Sequence, residues 1–192
     1  TFMDLVEDAD ILSGWNSEGY DIPYTFNRIT RVLSKEDLRR FCLFGQKPKK
    51  RTFDRFGKEE VTFDLIGRVH LDYMQLYRKY TYEERHSYSL DAIGEYELDE
   101  RKTAYEGTLD QLYNNDFRKF IEYNIQDTAL LDKLDKKLRF IDLSNTVAHE
   151  NTVMLQTTMG AVAVTEQGIV NEAHNRGLQV PNRRPRDDTE NT

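Results

Sequence analysis

An α/β fold with a mainly helical second half is what this sequence predicts, on three observations. Short apolar runs that end in turn residues, at 10–15 and 69–72, read as strands. Two β-prone runs, 51–54 and 60–65, flank a Gly-containing turn and read as a hairpin. From Asp110 onward, apolar residues recur at helical spacing.

The elements follow in order. Phe2, Leu5 and Val6 lie on one helical face, and Asp10-Ile11-Leu12-Ser13-Gly14-Trp15 forms a short buried strand. After the turn at Gly19 a helix begins near Asp21, with Pro23 accepted in its first turn, and runs to about Leu33. Ser34 caps a second short helix through Leu38, Phe41 and Cys42. Residues Gln46 to Lys50 form a basic loop, because Pro48 opposes regular structure. Val69–Asp72 ends a strand, Tyr73–Tyr80 is helical, and Ser89 starts another helix. Asp116–Phe140 belongs to the longest helical tract. Residues 144–178 are helical, stopped by Gly177 and Pro181, and the polar tail from Asn182 is disordered.

Composition narrows the class. The chain has 192 residues, 38% hydrophobic and 32% charged, and one cysteine, Cys42. No thiolate cluster is available, and no apolar run approaches the roughly 20 residues that span a bilayer. These traits predict a cytoplasmic protein with no membrane partner. A first residue of Thr rather than Met reads as a piece of a longer protein. The net charge of −7 opposes strong sequence-independent binding to duplex nucleic acid. Two basic runs depart from it: Lys47-Pro48-Lys49-Lys50-Arg51, and Arg183, Arg184 and Arg186 in the tail.

Two separated segments carry candidate chemistry. Asp21 follows a strand and a polar turn, where open α/β folds place their sites. A first-turn Asp that meets the helix dipole is the ordinary alternative. Tyr123 and Asp127 are four residues apart, so on a helix they share a face. Asp21 and Asp127 are candidate metal carboxylates, with the phenol of Tyr123 beside them to orient a water. Asn16 caps the turn or touches substrate. Asp72 follows an apolar strand and is a weaker candidate, and the four histidines show no ligand spacing.

In combination the segments are specific. Gly14-Trp15-Asn16-Ser17-Glu18-Gly19-Tyr20-Asp21-Ile22-Pro23-Tyr24 resembles the second exonuclease motif of family B DNA polymerases, and Tyr123-Asn124-Ile125-Gln126-Asp127 resembles the third. The stretches 71–77 and 87–91 between them are similar to that family in the expected order. The likeness is to replicative polymerases of T-even-type phages and covers about residues 1–181. It implies a ribonuclease-H-like 3′→5′ proofreading exonuclease that holds two divalent ions, magnesium or manganese. Asp127 and Asp21 would bind metal, Tyr123 would position water, and Asn16 would lie near the terminal nucleotide. The hairpin resembles one placed near the primer–template junction, which makes Lys50, Arg51 and Phe56 expected DNA contacts. The implied partners are DNA, the remaining polymerase domains and, through the parent, a sliding clamp. The implied location is the cytoplasm of an infected bacterial host.

The family's first motif, an Asp-x-Glu on an apolar strand, has no match here. Upstream of Asn16 lie only Asp4, Glu7, Asp8 and Asp10, in or after a helix. The expectation is therefore an incomplete exonuclease domain over 1–140, with an inserted β-hairpin and a helical C-terminal half. Residues 141–181 are expected to link toward a palm domain, and 182–192 to form a tail. Two other readings stand beside it: a non-catalytic DNA-engaging or docking subunit of a split polymerase, and a standalone exonuclease of the same type.

Overall fold

The computed structural model describes residues 2–55, 57–99 and 107–182. Phe56 and the tail from Arg183, both singled out from the sequence, lie outside the described residues. The described chain is a mixed α/β structure that divides into two compact units, with the boundary between Leu143 and Ser144.

The first unit opens with one helical turn, α1 (Phe2–Leu5), and strand β1 (Ile11–Gly14). Helix α2 spans Asp21–Val32 and buries Ile22 and Ile29 one face apart from its polar side. A single 3-10 turn at Asp37–Phe41 follows. Ser34 Oγ accepts from the N–H groups of Glu36 and Asp37 just ahead of that turn, whose N-cap position is Glu36 rather than the expected Ser34. Strands β2 (Lys49–Arg55) and β3 (Lys58–Asp64) form an antiparallel hairpin in the register Lys49↔Asp64 to Arg55↔Lys58. The reversal uses Gly57 at φ 75°, a conformation that disfavours a side chain. Lys49 and Lys50 are strand residues and not loop: the irregular stretch ends at Pro48, two residues earlier than expected.

Strand β4 (Val69–Asp72) returns to pair in parallel with β1, in the register Ile11↔Val69 to Gly14↔Asp72. The carboxyl ends of both strands thus stop at one level. Helix α3 (Tyr73–Tyr80) leaves β4 directly and buries Tyr73, Met74, Leu76 and Tyr77. Helices α4 (Leu90–Leu98), α5 (Leu109–Asn115) and α6 (Phe117–Leu138) complete the unit, and α7 (Phe140–Asn151) begins where Arg139 turns at φ 54°.

Burial explains the assembly. Met3, Ile22, Ile29, Leu38, Phe41, Cys42 and Leu65 form one apolar cluster, with Val6, Leu12, Phe26 and Phe63 packed against it. An aromatic group lies around α3: the Trp15 ring is 6.4 Å from Tyr73 and 6.1 Å from Tyr77, and Phe140 is within 6.3 Å of both tyrosines. Arg68 is 3% exposed. Its guanidinium donates to the carbonyls of Glu7, Arg40 and Phe41, tying the α1–β1 link to the 3-10 turn.

In the second unit, the region 144–178 is helical as expected but divided. A 3-10 turn (Leu155–Met159) and Gly160 separate the end of α7 from α8 (Ala161–Asn175). Thr152 at φ 52° makes the break, and Asn171 Nδ2 recloses it by donating to Asn151 O at 3.0 Å and Thr152 Oγ1 at 2.8 Å. Helical spacing persists through such a break, so periodicity does not reveal it.

Leu76 is completely buried on α3. Leu76→Ala is expected to destabilise the protein by about 2–5 kcal/mol, read as a shift of the urea midpoint at constant slope.

Candidate active site

The site begins where β1 ends. Gly14 is required there, because a Cβ on it would lie 2.8 Å from Ser17 Cβ. The chain then turns through Trp15–Tyr20, with Asn16 at φ 59°, into α2. Register places Asp72 opposite Gly14. Its carboxylate is 6% exposed and accepts three backbone N–H groups: Asn16 (3.0 Å) and Met74 (3.0 Å) on Oδ1, and Glu18 (3.1 Å) on Oδ2. Burial pushes the Asp72 carboxyl upward, and the three donors oppose that. Asp72 thus caps α3 and holds the turn that carries Asn16 and leads to Asp21.

Ser17 is buried and donates to Gly14 O (3.0 Å), while its Oγ lies 2.8 Å from His70 Nε2. With the serine proton committed to Gly14, the imidazole N–H is the donor to Ser17. Asn16 Oδ1 is a buried oxygen that finds no hydrogen-bond donor.

Helix α6 supplies the opposite wall. Asp127, Asn124 and Thr128 share a cleft of about 610 Å³ with Gly14, Trp15, Asp21 and His70. The two carboxylates that the sequence nominated, Asp21 and Asp127, therefore line one cavity. Asp21 stands at the exposed start of α2, yet desolvation of its carboxyl holds it above the ordinary carboxylate range. Tyr123, half-buried one turn before Asp127, and Asn16 do not line the cleft.

Among the described residues no three His, Cys, Asp or Glu side chains converge as a metal set. Asp21 and Asp127 are hard oxygen donors of the kind that Mg²⁺ accepts, but two carboxylates supply fewer oxygens than such an ion requires. The donor chemistry fits a divalent ion, and the donor number is partial.

The other nominated residues sit on the hairpin. Lys50 is exposed. Arg51 is held by two carboxylates, Glu18 and Asp64, with Nε 2.9 Å from Asp64 Oδ1. Sequence reasoning did not single out Ser17, Glu18 or His70. Nothing local marks them, because their roles arise only from the β1–β4 pairing and the hairpin's position.

Known polymerases are similar to this chain in sequence. Residues 1–93 match the exonuclease domain of DNA polymerase family B. The chain is 31% identical to the DNA-directed DNA polymerase of Escherichia phage RB69 and 28% identical to that of Enterobacteria phage T4, each over 171 residues. Both matches cover 89% of this chain and 19% of the relative. The DNA polymerase of Orgyia pseudotsugata multicapsid polyhedrosis virus is 26% identical over 69% of the chain and 14% of its own length. The chain thus spans about a fifth of the length of these two phage polymerases. No described helix is long and apolar enough to cross a membrane.

His70 gives this cleft a pH signature. Burial is the main cause that pushes its imidazole from 6.5 down to about 4, with the Arg51 charge adding to it and Glu18 and Asp64 opposing. Between those values the unfolded state binds the extra proton. Stability is therefore full at pH 7 and falls as pH drops, by up to about 1.4 kcal/mol per unit. His70→Gln is expected to flatten the dependence of the melting temperature between pH 7 and 5; equal slopes would assign it to another group.

Proposed function

We infer that this exonuclease-domain stretch works within a DNA polymerase as the 3′→5′ proofreading site, hydrolysing phosphodiesters with divalent metal ions. The observation that carries the reading is the shared cleft of Asp21 and Asp127, which come from segments far apart in sequence. In this reading Asp127 and Asp21 hold Mg²⁺ or Mn²⁺. The bound ion neutralises charge on the phosphodiester and eases attack by water near neutral pH. Tyr123 orients the attacking water from its position one helical turn before Asp127. Asn16, whose side-chain oxygen has no hydrogen-bond donor, contacts the terminal nucleotide. The remaining carboxylates come from sequence beyond this stretch.

Substrate features support unpaired DNA as the ligand. Tyr20 and Tyr24, which flank Asp21, are exposed and stacked with ring centroids 5.9 Å apart. An exposed aromatic pair beside a hydrolytic carboxylate suits stacking of unpaired bases. The hairpin's Lys49 and Lys50 add positive charge in an otherwise acidic chain. DNA, further polymerase domains and a sliding clamp are then the partners, and the cytoplasm of an infected bacterial host is the location.

In the full-length protein, Asp127→Ala and Asp21→Ala are each expected to lower magnesium-dependent digestion of single-stranded DNA by more than about 100-fold, beyond the loss usual for an outer-shell residue. DNA synthesis by the same variants should persist. The 192-residue chain alone is expected to show no digestion. Digestion by that chain, abolished by Asp127→Ala, would show that its own ligands suffice.

A further inference from the structure

We propose that Glu18 is a positioning residue that couples the β2–β3 hairpin to the hydrolytic cleft, so that the hairpin's hold on duplex DNA sets the reach of a primer end into the site. The proposal rests on the proofreading reading above and specifies which contact links its two parts.

Three groups of this one residue are engaged in two directions. Its N–H is held by the buried Asp72 carboxylate, which also holds Asn16. Its carbonyl accepts from Thr62 Oγ1 at 2.9 Å, and Thr62 on β3 is 1% exposed. Its carboxylate, 21% exposed, pairs with Arg51 on β2, which Asp64 on β3 also holds. Glu18 is therefore bonded to the sheet through its backbone and to both strands of the hairpin. Phe63 of β3 adds a stacked contact with Phe26 of α2, the helix that begins at Asp21, with centroids 3.7 Å apart. The hairpin stem is thus fixed to the turn and helix that present the cleft's carboxylate.

This changes the role expected of Arg51. A guanidinium shared by two carboxylates is a poor phosphate ligand, because both charges that hold it repel DNA. Lys49 and Lys50, exposed on the same strand, remain to meet the backbone phosphates. Arg51 instead anchors the strand that carries them.

The test compares two substrates in the full-length polymerase with magnesium: single-stranded DNA, which reaches the cleft unaided, and a mismatched primer–template, which must first engage duplex. Two variants cut the link at different atoms, Glu18→Gln at the carboxylate and Thr62→Val at the hydroxyl. Each is expected to lower kcat/KM on the primer–template by about tenfold, the order of one charge-assisted or buried hydrogen bond. Single-strand kcat/KM should stay within about twofold. Asp72→Asn, which turns an amide against the Glu18 N–H, is expected to lower both. Loss of fold would depress both substrates in every variant and leave their ratio unchanged. An unchanged ratio in both Glu18→Gln and Thr62→Val, with single-strand kcat/KM still within about twofold of the unaltered polymerase, overturns the coupling. Absence of magnesium-dependent single-strand digestion by the unaltered polymerase overturns instead the hydrolytic reading on which the coupling rests.

Discussion

The Asp72 carboxylate, buried at the end of β4 and bonded to the N–H groups of Asn16, Glu18 and Met74, is the interaction on which the rest of the site depends. A buried carboxylate is costly unless donors surround it. Here three donors do so, and each would itself be left wanting if the carboxylate were removed, at about 1–3 kcal/mol apiece. The arrangement exists only because Asp72 stands level with Gly14 in the parallel pair. One side chain thereby caps α3, permits Asn16 its left-handed backbone, and sets the direction from which α2 starts. Asp21 reaches the cleft as a consequence.

Charge in this chain is used mostly for internal anchoring. Arg85, with its side chain 14% exposed, donates to Tyr77 Oη at 3.1 Å and lies 3.7 Å from the Tyr96 ring. Tyr77 donates in turn to Glu97 at 2.7 Å, and Lys137 of α6 closes on the same carboxylate. Burial is the main reason the Tyr77 phenol is pushed up to about 12, so it remains a donor throughout the neutral range. Sheltered networks of this kind resist screening better than isolated surface pairs, which contribute little. They hold α3, α4 and α6 together and keep the Asp127 wall facing the turn.

Much of the local structure was legible. The α2 start at Asp21, the helix from Tyr73, the cap at Ser89, and the hairpin all follow from residue type and spacing. The basic run was less so: Pro48 marks irregular backbone, but the two lysines after it pair with β3. Residues 144–178 kept helical spacing across a break made by one left-handed residue, Thr152. Arg51 is an expected DNA contact through the hairpin's resemblance, and the carboxylates that hold it, Glu18 and Asp64, lie elsewhere in the chain.

By itself the sequence determined which residues could do the chemistry and which family they resemble, because motif spacing on a strand–turn–helix and on a helix face is a local property. Asp21, Tyr123 and Asp127 were nominated on that basis alone. Only the tertiary structure decided that Asp21 and Asp127 share a cleft, that Asp72 supports rather than lines it, and that Glu18 joins the turn to the hairpin. The physical reason is register. Parallel pairing of β1 with β4 and the docking of the hairpin bring together groups tens of residues apart, and nothing in the local pattern of either segment specifies its partner.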